Sequence, residues 1–327
     1  MREPCTAEEH AAAERVATAL GAAGFAARVE PFAARRSSEP WLAAYAALAA
    51  LGGLIVHPAP LGAAAFAVVA IVLHARDSDG RRLLGGHTCT AVSVVALARH
   101  APDPDLVVVA PLLDASDRLG ERTRRKVTVA LQTSMAAVGA GGAAAWIAEA
   151  QTELPATVAT CGVAGGVVVA ALALTLYRPT AGGYRPAVAC ELMVSLAPRL
   201  ADRRVWIVAT GAPGDGMAAI AALVDEHPRE LAGAAWLNLV DGGVSDTVAV
   251  SEEGAWRERR SDRWLLDAAE EAGAEVRPYR FATCATPLLA RRRRALTLLV
   301  PEEPDGEAIA LAVATAALEG PSAGARG

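Results

Sequence analysis

The sequence predicts an α/β protein, with a mostly parallel sheet covered by helices on both faces, into which two transmembrane helical hairpins are inserted. Three observations carry this. Two pairs of long, almost uncharged apolar stretches interrupt the chain. Outside them, apolar runs of strand length alternate with segments of helical periodicity, the pattern of a parallel sheet with crossover helices. And 53% of the 327 residues are hydrophobic, with a mean hydropathy of +0.30, above the usual globular share.

Taken in order, Thr6, Glu8 and Glu9 open a helix whose Ala13, Val16, Ala17 and Leu20 recur at helical spacing and which Gly21 or Gly24 ends. A short strand follows around Phe25 to Phe32. From Pro40 to Val56 the chain carries no charge, His57-Pro58-Ala59-Pro60 makes a turn, and Leu61 to Leu73 is apolar again. These arms are shorter than the roughly 20 residues a spanning helix needs, so a buried or partly inserted helix pair stands beside the transmembrane reading. The second hairpin is longer: Val127 to Ile147 is uncharged, Glu149 and Glu153 lie in the connection, and Pro155 to Tyr177 is apolar throughout. Gly162 and Gly166 offer one close-packing pair to a neighbouring helix, and small-residue faces of this kind also suit a homo-oligomer.

The remaining elements are a strand at Leu106 to Ala110, a helix at Val188 to Leu200, a strand at Val205 to Thr210 and a helix at Met217 to Val224. A strand at Ala234 to Val240, a helix at Asp262 to Ala272, strands at Glu275 to Phe281 and Ala295 to Val300, and a helix at Glu307 to Leu318 complete the series. Residues 1–39, 76–126 and 178–320 thus form the soluble domain, 40–75 and 127–177 the two hairpins, and 321–327 a disordered tail.

Basic residues set the orientation. Arg35, Arg36, Arg76, Arg81, Arg82, Arg122, Arg124, Arg125, Lys126 and Arg178 flank the hairpins, and neither hairpin turn has an Arg or Lys, which places the soluble body in the cytoplasm and the protein in the cell membrane. The polar start, with Glu3, Glu8, Glu9 and His10, lacks the layout of a cleavable signal peptide. Lys126 is the sole lysine, and the Arg- and Ala-rich usage has the texture of GC-rich, bacterial coding. A net charge of -5, with arginines interleaved among acids, gives no footprint for nucleic acid. Cys5, Cys89, Cys161, Cys190 and Cys284 are widely spaced and read as free thiols. His10, His57, His74, His87, His100 and His227 show no paired spacing for a metal and read as surface or interfacial residues.

Ligands of open α/β sheets collect at the carboxyl ends of strands. Four such places stand out: Pro111 to Ser116, Ala181 to Leu192, Gly211 to Met217, and Val240 to Gly243. In that order and texture, loosely over Leu106 to Ser116 and more firmly over Ala181 to Gly243, the chain resembles the aminopeptidase-type zinc exopeptidases, peptidase clan MH, family 28. The resemblance implies a three-layer domain and a site for two zinc ions, with a general base that activates metal-bound water. Carried over residue by residue, it implies a degenerate site. The first His falls at Leu112, with Asp114 kept from the His-x-Asp pattern. The bridging Asp falls at Arg185, between Tyr184 and Pro186. The Glu-Glu pair falls at Pro213 and Gly214, followed by Asp215. The fourth-strand Asp falls at Val240, or at Asp241 after a one-residue slip, and 301–305 supplies no late His. At an effective dielectric near 20, a unit charge pair about 4 Å apart is worth about 4 kcal/mol, so Arg185 beside one dication meets about twice that as repulsion.

The expectation is therefore a membrane protein with no catalytic residues and no cofactor, acting as a scaffold or as a binding module. Its cleft is lined by Asp114, Tyr184, Arg185, Asp215 and Asp241, and Arg185 holds a peptide or amino-acid carboxylate. Asp114 also reads as a turn or helix cap. An active zinc aminopeptidase is the alternative. A second is a nucleotide-binding domain, with Gly211 to Gly216 as phosphate loop and Asp241 as ribose acid, although the GxxGxG spacing, Pro213 and Asp215 oppose it. Arg291 to Arg294 reads as a solvated edge or loop, or as a contact for anionic lipid head groups.

Overall fold

The structure, a computed structural model, describes residues 6–34, 39–55, 59–78, 89–98, 102–114, 120–147, 158, 160, 162–168, 185–212, 216–254, 257–279, 282–301 and 306–320. Helix α1 (Ala7–Ala22) leads into β1 (Phe25–Ala34). Helices α2 (Glu39–Leu54) and α3 (Pro60–Ser78) precede β2 (Cys89–Ala98), β3 (Leu106–Pro111) and the two-residue β4 (Leu113–Asp114). After α4 (Gly120–Ile147) come β5 (Arg185–Pro186), α5 (Val188–Leu200), β6 (Val205–Thr210), α6 (Gly216–Glu226), β7 (Ala235–Asp241), β8 (Val248–Glu253) and β9 (Arg259–Arg260). The chain closes with α7 (Arg263–Glu271), β10 (Glu275–Tyr279), α8 (Thr286–Ala290), β11 (Ala295–Val300) and α9 (Glu307–Glu319).

Nine strands form one sheet in the order β1-β2-β6-β3-β7-β11-β8-β10, with β9 paired to β8. The centre is parallel, from β6 through β3 and β7 to β11, while β1, β2 and β8 join antiparallel. The sheet is therefore mixed, with a parallel heart. The antiparallel strand β2 and the polar-ended β8 are absent from the sequence reading. Strand β2 is set by its pairing with β1 and β6, and β8 ends in Ser251-Glu252-Glu253, which has no strand signal of its own. Both ends of the sheet carry a proline, Pro31 in β1 and Pro278 in β10, and a residue without an N–H blunts an edge against further pairing.

Alternation along β3 shows why two faces need covering. Leu106, Val108 and Ala110 pack into one core with residues of α1, α5, α7 and α9, whereas Val107 and Val109 pack into a second with Ile220, Leu223 and Val224 of α6 and Leu288 and Leu289 of α8. Helices thus lie on both faces, giving three layers. Asp262 caps α7, its side chain accepting from the Leu265 N–H at 3.1 Å.

Helices α2, α3 and α4 pack together around Tyr45, Ala49, Ala70, Leu131 and Met135. Small residues set the spacing: a Cβ on Gly142 would lie 2.8 Å from the Ala64 nitrogen and the Pro60 oxygen, and one on Gly52 would lie 2.9 Å from the Ala63 oxygen. The helical turn at 162–168 joins them, with Gly162 against Ala137 and Gly166 against Ser134, so the pair read from sequence does serve a close helix contact. Outward, the bundle is apolar. Among the described residues, the exposed large hydrophobic side chains lie in these helices and in 158–168, Leu54 and Ile147 at 74% exposure among them, with Val29 and Trp264 the exceptions.

Among the described residues, one helix is long and apolar enough to cross a membrane, Pro60–Asp77, with a mean hydropathy of 1.4. It belongs to the first hairpin, the shorter one in the sequence reading, because α3 runs past Leu73 to Ser78. Helix α4 starts at Gly120, about two turns before the expected Val127. Most of the second arm, 155–177, lies outside the described residues.

Candidate functional site at the carboxyl ends of the central strands

Strand β3 ends at Pro111 and is followed by Leu112, which is 2% exposed and whose N–H bonds the Thr210 oxygen at 2.8 Å. The chain then forms β4, which pairs antiparallel with β5, with Asp114 opposite Arg185 and Leu113 opposite Pro186. Two of the residues singled out in the sequence, 71 positions apart, therefore face each other across a two-stranded ribbon. Tyr184, Pro213, Gly214 and Asp215 lie outside the described residues.

From β5 the chain passes through Ala187 into α5. Ala187 has no side chain with which to cap the helix, and the first N–H groups of a helix have no partner within it. Asp241, at the end of β7, supplies what is missing: Oδ1 accepts from the Ala189 N–H at 2.6 Å and Oδ2 from the Val188 N–H at 3.2 Å. A carboxylate here satisfies two donors and meets the positive end of the helix dipole. Val240 packs with Val248, Val250 and Leu299. On the same helix the buried Cys190 thiol is pushed up to about 12, by burial first and then by the charges of Asp241 and Glu191. It is a protonated, inert thiol.

After β6 the backbone turns through Gly211 and Ala212, the latter at φ 48°, in the left-handed region. Here Glu9 of α1, fully buried, reaches across: Oε1 accepts from the Val92 N–H at 2.9 Å and Oε2 from the Ala212 N–H at 3.3 Å. A Cβ on Gly211 would collide with the Val92 oxygen and Glu9. The loop read as a phosphate cradle thus has one of its N–H groups bonded to a carboxylate, the wrong charge for a neighbouring phosphate. Glu9 escaped the sequence reading, which took it for a helix-opening acid. The signal was present, since Glu9 falls on the stripe of Ala12, Ala13, Val16 and Leu20, the buried face of α1.

Elsewhere, Glu30, Glu226 and His227 place one potential ligand atom each within 4.8 Å of one another. This group sits at the β1 edge, with the Arg28 guanidinium paired to Glu30 and 3.4 Å from His227 Nε2, so the cluster carries its own cation. The His227 ring stands edge-on to Trp206 at 5.2 Å. The arginine run is also tied down: Arg291 bonds Asp225 at 3.1 Å, Arg293 bonds the Leu231 and Ala232 oxygens, and Arg294 bonds Asp262 at 3.1 Å. These contacts fit the edge-or-loop reading and leave little of the run for lipid.

Fold and site together define a mixed α/β protein with three layers and an attached apolar helical bundle. No family model and no curated protein matches the sequence. Among solved structures it is similar to BSAP, a zinc aminopeptidase from Bacillus subtilis, at 9% identity and a TM-score of 0.43, over 97% of this chain and 89% of that one.

Proposed function

We propose that the chain is a multi-pass protein of the cell membrane whose α/β domain follows the plan of the family 28 exopeptidases without their metal site, and that it works as a non-catalytic binding or scaffold unit. The observation that carries this reading is the commitment of Asp241. As the acid nearest the fourth-strand position, it directs both carboxylate oxygens at the backbone of α5. The residue opposite Asp114 in the backbone register is Arg185, a cation where the resemblance requires a bridging carboxylate. Leu112 and Val240 contribute hydrocarbon. Zinc needs anionic or imidazole donors, and these residues do not fit two dications.

The exposed apolar side chains of α2, α3 and α4 support insertion into lipid, since water-soluble surfaces rarely carry a contiguous patch of this kind. The flanking arginines support a cytoplasmic body. Within the cleft, Arg185 suits the carboxylate of a peptide or amino acid.

Zinc analysis of the full chain purified in detergent tests the reading. The expected result is less than one zinc per chain at the cleft and no chelator-sensitive release of N-terminal residues from peptides. About two zinc ions per chain, with chelator-sensitive aminopeptidase activity, would establish the catalytic alternative instead. A peptide or amino acid that raises the melting temperature of the wild type and not of Arg185→Ala marks a binding module; no shift with any of them leaves the scaffold role.

A further inference from the structure

Glu253 ends β8 and is completely buried. Three threonine hydroxyls converge on it. Thr286 Oγ1 donates to Oε1 at 2.6 Å, Thr297 Oγ1 donates to Oε2 at 2.7 Å, and Thr283 Oγ1 reaches the two oxygens at 2.8 and 3.0 Å. A second tier holds the hydroxyls: Asn238 Nδ2 donates to Thr283 at 3.1 Å and to Thr297 at 3.2 Å, the Ala285 N–H to Thr283 at 3.0 Å, and the Thr283 N–H to Thr286 at 2.9 Å. One carboxyl group therefore ties β7, β8 and β11 to the segment 283–290, which brings Ala285, Leu288 and Leu289 to the second core.

The ionisable groups around it come from every neighbouring element. Arg259 on β9 and Tyr279 on β10 stand opposite Glu253 in the backbone register, and Cys284 lies within the segment. Glu252 is paired with Arg260, Arg291 with Asp225 and Arg294 with Asp262, while Asp241 is at the far end of β7. Burial dominates the titration of Glu253 and holds it above the ordinary carboxylate range, against the opposing pull of the Thr286, Thr297 and Thr283 hydroxyls.

We propose that Glu253 is a proton-held latch: while protonated, with its O–H given to Thr283 Oγ1 and the Thr283 hydroxyl turned to Thr297 Oγ1 at 3.1 Å, it clamps segment 283–290 onto the sheet, and its ionisation lets the segment open. The sign follows from linkage. In the open form the carboxyl is hydrated and titrates near the ordinary value of about 4.3, so opening releases one proton wherever the closed form still holds it. The open population then rises about tenfold per pH unit from that value up to the closed-state pKa, and is level above it. This device is independent of the metal content of the cleft, and zinc analysis has no bearing on it.

Hydrogen exchange of the amides of 283–290 across pH, in the detergent-purified full chain and corrected for intrinsic rates, tests it. The wild type is expected to show the tenfold-per-unit rise and its plateau. Glu253→Gln, neutral at every pH, is expected to show neither. Thr286→Val removes a hydroxyl that favours the ionised form, so its plateau is expected to begin at higher pH, whatever the change in overall protection. A wild-type exchange rate independent of pH, or a Glu253→Gln profile like that of the wild type, overturns the latch. Should Glu253→Gln not fold, a Thr286→Val plateau that stays in place or moves down does the same.

Discussion

The carboxylate of Asp241, at the end of β7, accepts the backbone N–H of Ala189 at 2.6 Å, on the far side of a 52-residue separation. Helix α5 thereby receives its cap from another element, since Ala187 has none to offer. The contact joins β7 to the helix that opens just after Arg185, so this carboxylate acts as a helix cap.

Asp241→Ala is expected to destabilise the protein by about 1 to 2 kcal/mol, the range for losing an N-terminal cap together with its favourable interaction with the helix dipole. Asp241→Asn keeps an acceptor and loses the charge, so its effect should be the smaller. Denaturant midpoints of the two variants check the order; a neutral Asp241→Ala would show that water replaces the carboxylate.

Much of the scaffold was legible in the sequence, and the reasons are local. Val188 to Leu200 has a strong apolar stripe that needs no partner to be seen, and the structure places α5 over those residues. Strand β3, apolar on both faces, reads as a buried strand for the same reason. Strand β2 was harder, because it is defined by its pairing with β1 on one side and β6 on the other. The site was less legible still. That Arg185 lies opposite Asp114 is a matter of register between segments 71 residues apart, and that Glu9 is buried depends on two N–H groups, from Val92 and Ala212, that only the assembled sheet brings together.

Glu9→Ala leaves the buried N–H groups of Val92 and Ala212 without the carboxylate that now accepts them. Each such loss is worth about 1 to 3 kcal/mol, so a total destabilisation of about 2 to 6 kcal/mol is expected. Glu9→Gln retains one acceptor oxygen and should fall about midway. Thermal and urea unfolding measure both. Equal effects of Ala and Gln would mean that the negative charge, and not the number of acceptors, holds the loop.

The thiol of Cys190 should be silent in the folded protein. Its value of about 12 leaves almost no thiolate at pH 8, and the side chain is buried. Maleimide labelling followed by peptide mapping is expected to miss Cys190 under native conditions and to modify it in denaturant. Removing the Asp241 charge in Asp241→Asn lowers the thiol's pKa, because that carboxylate is one of the causes that raise it.

The bundle offers the sharpest separation between packing and composition. Gly142 and Gly52 sit where helices approach so closely that a Cβ would meet backbone atoms, the Ala64 nitrogen and Pro60 oxygen in one case and the Ala63 oxygen in the other, and backbone yields less readily than a side chain. Gly139, whose Cβ would come to 3.4 Å from that of Ala67, has ordinary contact distance. Alanine raises hydropathy and helix propensity equally at all three positions. If hydropathy alone governed the bundle, all three substitutions would stabilise it. With close packing in control, Gly142→Ala and Gly52→Ala should lower the melting temperature of the detergent-purified protein by several degrees while Gly139→Ala leaves it unchanged or raises it. A common rise in all three would show that the helices do not approach one another as closely as α3 and α4 do around Gly142.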